Sequence, residues 1–312
     1  MAQALQFAAS DPTLKAHPKL TVQKGVYSYA IERQGDQSTY TVSDGKDTIS
    51  LPIHWAFGAH SQTYVLERDG KYYEGLVSYY TAINGLDTTI GDQAIHPTTL
   101  LEAMGRPLAM SEVQQCVGCH TTGAVINRQL HLDSLKPGVT CEHCHSGAMD
   151  HFEAISHGKL ASVPPKLSQL APENISNFCG QCHRSWEQVV KGNLFGQVNV
   201  RFQPYRLANS KCFDGSDKRI SCIACHNPHE EVVRNDASYD TKCLACHSAG
   251  AKPSLGMIAM HPDRRSTAMP ICPVAKSDCV SCHMPKVKLP GGHMTFTDHD
   301  IRIDSQNEFY PN

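Results

Sequence analysis

Six copies of one five-residue pattern, Cys-x-x-Cys-His, lie between Cys116 and His283 and dominate what this chain can become. They are Cys116-Val-Gly-Cys119-His120, Cys141-Glu-His-Cys144-His145, Cys179-Gly-Gln-Cys182-His183, Cys222-Ile-Ala-Cys225-His226, Cys243-Leu-Ala-Cys246-His247 and Cys279-Val-Ser-Cys282-His283. Two thiols three residues apart share one face of a helical turn. Each can form a thioether to a porphyrin edge while the adjacent His supplies an axial nitrogen to the iron. The pattern is the attachment signature of haem c. A single Cys-x-x-Cys would also suit a redox dithiol or half of a zinc site. Zinc would pair the motifs and need no His after each, yet His follows all six. Six covalent haem c groups with their iron are therefore expected, on His120, His145, His183, His226, His247 and His283 as proximal ligands.

The chain has 312 residues, 40% hydrophobic and only 7% aromatic. Six porphyrins would supply the missing apolar mass, so the motif region reads as helices and loops packed on rings rather than on each other. The expected class is α+β. A small N-terminal antiparallel β unit, residues 1–95, precedes a mainly helical or irregular hexahaem cytochrome c domain, residues 96–312.

Residues 1–18 are polar and carry no clear signal. Strands are expected from about Thr21 to Tyr80, with Val26–Ile31 and Thr39–Val42 rich in β-branched and aromatic residues. Thr63–Arg68, Asp69-Gly70 and Lys71–Ser78 read as a hairpin with a type I′ turn. A short helix is expected over 97–105, stopped by Gly105. Ser111-x-x-Gln114 reads as a capping box ahead of the first motif. Thr140, Ser221, Asp240 and Asp278 are candidate caps for motif helices. The motifs are irregularly spaced, which argues against a tandem repeat. The short first-to-second and fourth-to-fifth gaps predict neighbouring haems in those pairs.

Eighteen histidines leave twelve beyond the proximal set, where six would complete every iron. The strongest distal candidates are His151, His229, His293 and His299, which follow motifs closely or lie in the C-terminal segment. His17, His60 and His96 are weaker candidates. His143 sits between two haem cysteines and is too constrained to ligate. Cys212 and Cys272 fall outside the motifs. A disulfide and a buried free thiol weigh equally for them, with an axial thiolate as a third option.

Fourteen cysteines are excessive for a cytosolic chain. Haem c attachment takes place outside the bacterial inner membrane, so a periplasmic or extracellular location is expected. Residues 1–20 lack the charged and apolar segments of a signal peptide, which is expected to precede Met1 in the precursor. No apolar run is long enough for a transmembrane helix. A formal charge of −2 presents no basic face to nucleic acid. Six ferric bis-His haems with ionised propionates would bring it to roughly −8, which suits a basic redox partner.

Several stretches resemble a family of bacterial multihaem c-type cytochromes related to the tetrahaem cytochrome that takes electrons from hydroxylamine oxidoreductase. They are Cys116-Val-Gly-Cys-His-Thr-Thr, Gly138-Val-Thr-Cys-Glu-His-Cys-His, Phe178-Cys-Gly-Gln-Cys-His-Arg, Phe202-Gln-Pro-Tyr-Arg-Leu, Cys222-Ile-Ala-Cys-His-Asn-Pro-His, Asp278-Cys-Val-Ser-Cys-His-Met-Pro-Lys and Phe296-Thr-Asp-His-Asp-Ile-Arg. The resemblance covers roughly residues 17–303. It implies electron transfer in the bacterial envelope, and it matches His151, His229, His293 and His299 to recurrent histidines, with His17 a weaker match. Relatives often carry a further haem motif just before the segment similar to Met1–Leu5, and its absence here supports the expectation that the N-terminus is truncated.

Two functions stand. One is a carrier passing electrons between redox proteins through closely spaced, mostly bis-His haems. The alternative is a multihaem reductase or oxidase of a small nitrogen or sulfur species, which needs one open iron. No motif has Lys in place of its proximal His, and the surplus histidines favour saturation. Peripheral association with a membrane complex, oligomerisation and a filament stay open.

Overall fold

The computed structural model describes residues 4–159, 163–248 and 271–303. Two compact units are present, 1–165 with 290–294 and 166–289 with 295–312. The division therefore falls at Pro165 rather than at residue 95. The reason is local: the chain beyond residue 96 adds a strand and a helix to the sheet unit.

The first unit is built on an antiparallel sheet. Its strands are β1 (Leu5–Phe7), β2 (Lys19–Lys24), β3 (Tyr27–Gln34), β4 (Gln37–Ser43), β5 (Thr48–Phe57), β6 (Ser61–Arg68), β7 (Lys71–Gly75), β8 (Val77–Tyr80), β9 (Gly85–Thr88) and β10 (Gly105–Leu108). The main path is β10-β7-β6-β5-β4-β3-β2, with β1 on β5 and β8 between β6 and β9. Alternation explains the core. Tyr27, Tyr29 and Ile31 of β3 and Tyr40 and Val42 of β4 point to one buried face. Asp69 and Gly70 both take positive φ, as the expected type I′ turn demands. The strand expected to run through Ser78 breaks at Leu76. Its first part pairs with β10 and its second with β9.

Two elements in the uninformative first 18 residues matter. β1 buries Leu5 and pairs with the end of β5. Helix α1 (Pro12–Ala16) is capped by Asp11, whose Oδ1 accepts from the Leu14 amide at 2.7 Å. The next helix, α2 (Leu100–Met104), has a full capping box between Thr99 and Glu102. It stops at Gly105, where φ is 149° and a Cβ would meet the Glu74 carbonyl oxygen at 2.0 Å. Only glycine permits β10 to close onto β7 there.

Helix α3 (Met110–His120) begins at Ala109, not Ser111. Glu112 reaches back to accept from the Ala109 amide at 2.9 Å, while Gln114 donates to the Arg128 carbonyl at 2.8 Å. The capping box expected at Ser111 and Gln114 is therefore displaced, because the acidic side chain sits three residues after Ala109. Helices α4 (Cys141–Cys144) and α5 (Ala148–Ser156) follow in the same unit.

The second unit is helical, with α6 (Pro172–His183), α7 (Trp186–Lys191), α8 (Gln203–Ala208), α9 (Cys222–Cys225), α10 (Asp240–His247) and α11 (Cys279–His283). A two-strand ribbon pairs Lys286–Lys288 with Thr295–Thr297. An N-terminal antiparallel sheet joined to helical chain is α+β, as the sequence indicated.

Candidate haem sites

All six motif cysteine pairs lie within a helical turn: at the ends of α3, α6 and α10, in α4 and α9, and in α11. Both thiols of each pair therefore share a face, which is the geometry two thioethers to one ring require. Among the described residues, which include all fourteen cysteines, there is no disulfide. Nor do three or more His, Cys, Asp or Glu side chains converge into a metal cage there, so the four-thiolate pairing zinc needs is not formed. Burial pushes the Cys116 thiol up to about 11 and the Cys279 thiol up to about 12. Such thiols are poor thiolates, unlike those of a redox dithiol.

The histidines give a sharper test. A backbone carbonyl only accepts, so a ring nitrogen bonded to one must carry the proton. His120 Nδ1 lies 2.8 Å from the Ala4 carbonyl oxygen, His145 Nδ1 3.0 Å from that of Pro165, and His283 Nδ1 2.8 Å from that of Arg302. Each therefore carries its proton on Nδ1, which makes Nε2 the basic nitrogen, the tautomer that ligating histidines adopt. His226 Nδ1 is 3.4 Å from the Tyr239 hydroxyl. The residues fit haem c.

In the second unit, the His226 and His299 ring centres stand 6.2 Å apart. A metal–nitrogen bond of about 2 Å on each side, plus about 1 Å from nitrogen to ring centre, places two imidazoles on one metal roughly 6 Å apart. His299 repeats the proximal pattern, with Nδ1 donating to the Thr297 carbonyl at 3.0 Å. Burial, joined by the nearby His226 and His183, pushes His299 down to about 4 against the pull of that carbonyl. Its ring is neutral at neutral pH.

The loop carrying His299 is held from α8. Arg206 is fully buried. Its Nε and one terminal nitrogen each donate to Asp298 at 2.8 Å, and the same terminal nitrogen reaches Asp300 at 3.3 Å. Arg302 adds a 2.6 Å bond to Asp298, and Ser210 donates to the His299 carbonyl at 3.0 Å. The stretches Phe202–Leu207 and Phe296–Arg302 are thus two halves of one arrangement, which composition could not reveal.

Asp240 also differs from expectation. It opens α10, but its carboxylate accepts from the Asp278 and Cys279 amides at 2.8 and 2.9 Å, capping α11 instead. Those two bonds hold its carboxyl below the usual range. Asp278 lies in the left-handed region and makes no side-chain cap, and Thr140 and Ser221 stand at caps without capping bonds. The fifth and sixth motifs are thereby fastened, with Cys243 and Cys279 in contact. Cys179 likewise meets Cys222, and Cys225 lies near Cys243. In the first unit, His143 Nδ1 donates to the Thr121 carbonyl at 2.9 Å and ties the second motif to the end of the first.

The other candidates are more scattered. His151 lies in α5 with a buried Nδ1 that has no hydrogen-bond partner. His229, His60 and His96 are exposed. His17 Nε2 is 3.0 Å from the Tyr79 hydroxyl, a structural role within the sheet unit. His293 Nε2 is 2.6 Å from Asp87 Oδ2, and its ring stands edge-on to Tyr80 at 4.9 Å. His261 lies outside the described residues. Cys212 and Cys272 are not bridged in this structure. Cys212 is near Cys243, Cys246 and Asp300, while Cys272 is held by the amides of Ala275 and Val274. Burial pushes Cys212 up to about 11, which also opposes an axial thiolate.

The family described as cytochrome c554 and c-prime matches residues 93–146, the stretch holding the first two motifs. The multiheme cytochrome MtrA of Shewanella baltica (strain OS185) is 23% identical over 204 residues, or 62% of this chain and 50% of that protein. The motifs and these matches support a multihaem c-type cytochrome. The chain spans half the length of that curated relative. The crystal structure of outer cell wall cytochrome OcwA matches with a TM-score of 0.44 and 15% identity, covering 80% of this chain and 68% of that one. Among the described residues no helix is long and apolar enough to cross a membrane.

Proposed function

We propose that this multihaem cytochrome is an electron carrier of the bacterial envelope, periplasmic or extracellular, with six haem c groups and redox proteins as donor and acceptor. Bound haem c supplies the one-electron chemistry. The chain would anchor each ring by two helical cysteines and offer it the following His, whose Nδ1 is already hydrogen-bonded in His120, His145 and His283. The observation that carries the proposal is the His226–His299 pair, whose 6.2 Å separation and paired Nδ1 groups suit one six-coordinate iron. Imidazole from both residues would favour ferric iron more than a Met/His pair does, and would leave that iron no position for a substrate. A resemblance to the tetrahaem partner of hydroxylamine oxidoreductase agrees with this role.

The test is an EPR spectrum of the oxidised, fully loaded protein. Low-spin iron throughout is expected. A stoichiometric high-spin signal that shifts with nitrite, hydroxylamine or cyanide would make one site open, and the reductase or oxidase the better reading.

A further inference from the structure

Helix α8 carries no haem motif, yet it serves two ligand loops. Gln203, at its first position, stands beside the proximal His183. Arg206, one turn on, holds Asp298 and Asp300. Ser210, just past its end, donates to the His299 carbonyl at 3.0 Å and accepts from the Ile301 amide at 2.7 Å.

We propose that Arg206 is a positioning residue for the His299 imidazole, so that α8 sets the axial geometry at the fourth motif. This rests on the reading that His226 and His299 face one iron. Asp298 and Asp300 flank His299 in sequence, and both reach the same guanidinium. His299 itself reaches toward His226. The residue is therefore gripped on both sides of its backbone, with Ser210 as a third point. Asp298 is fully buried and accepts from Arg206, from Arg302 and from the Asp300 amide at 3.1 Å. Taking away Arg206 would leave buried carboxylates undercompensated, so the loop would have to move to hydrate them. Lysine would keep the charge but not the fork that fits Asp298 with two parallel bonds.

The experiment uses the loaded, full-length protein with Arg206→Gln, Arg206→Lys, Ser210→Ala and, as reference, His299→Ala. Intact mass first confirms equal haem content. EPR of the oxidised proteins then counts low-spin and high-spin iron. His299→Ala should convert about one haem in six to high-spin. Arg206→Gln should do the same in part, with added imidazole restoring the low-spin signal. Arg206→Lys should lie between parent and Arg206→Gln. Should Arg206→Gln fail to load haem, Ser210→Ala decides, because it frees the His299 backbone without exposing a buried charge. It should alter the g-values of one low-spin haem and leave the rest unchanged. Parent-like spectra in every Arg206 and Ser210 variant that loads haem, beside a high-spin haem in His299→Ala, would overturn the role of α8. Six low-spin haems in His299→Ala would instead overturn the axial pair.

Discussion

Replacing Asp87 with Asn should destabilise the sheet unit by a calculable amount, and only above acid pH. Asp87 takes Lys24 on Oδ1, His293 on Oδ2 at 2.6 Å, and the Thr88 amide at 2.6 Å. Burial alone would raise its carboxyl, but the hydrogen bonds from Lys24, His293 and Thr88 carry it down to about 2. Against an unfolded value near 4, the difference of somewhat under two pH units corresponds to about 2 kcal/mol. The side chain is only 24% exposed, so solvent screening takes a minor share. The folded pKa is depressed. The stabilisation is therefore fully present above about pH 4 and is lost as pH falls toward 2. For a unit of this size, about 2 kcal/mol lowers Tm by roughly 4–8 °C. Thermal melts of the parent and Asp87→Asn, followed by circular dichroism at pH 7 and near pH 2, supply the comparison. The gap should be open at pH 7 and nearly closed near pH 2. Equal melting at pH 7, or a gap that does not change with pH, would refute the linkage between this carboxylate and its Lys24 and His293 partners.

Three further outcomes are expected. The haem-loaded protein should exceed its apoprotein mass by about six haem groups, one per motif; a smaller gain, or zinc by elemental analysis, would remove the haem assignment. Thiol labelling of the native protein should reach Cys272 well before Cys212, since amide bonds lower the first thiol and burial raises the second to about 11; a Cys212–Cys272 cross-linked peptide would contradict the unbridged geometry. Asp240→Ala should speed hydrogen exchange at the Asp278 and Cys279 amides without changing haem number; unchanged exchange there would show that another group caps α11.

The cofactor class was legible in the sequence because covalent attachment is a local demand. Two thiols and a His must share one helical turn, and Cys-x-x-Cys-His writes that demand in five consecutive residues. The β unit was legible for a similar reason, since alternation in Tyr27–Ile31 and the Asp69-Gly70 turn are short-range signals. β1 was not legible. Three residues, Leu5–Phe7, hold no periodicity, and only pairing with β5 brings the Ala4 carbonyl to His120.

The same limit governs the distal ligands. Sequence named His299 and His293 alike, because both follow the last motif at similar distance. Tertiary structure separated them, placing His299 beside His226 and His293 on Asp87. Asp240 likewise read as the cap of its own helix, yet it caps one that begins 39 residues later. A second axial ligand, a buried counter-ion or a cap from elsewhere is chosen by what lies a few ångströms away in space. That distance is decided by how the whole chain packs, and no window of sequence contains it.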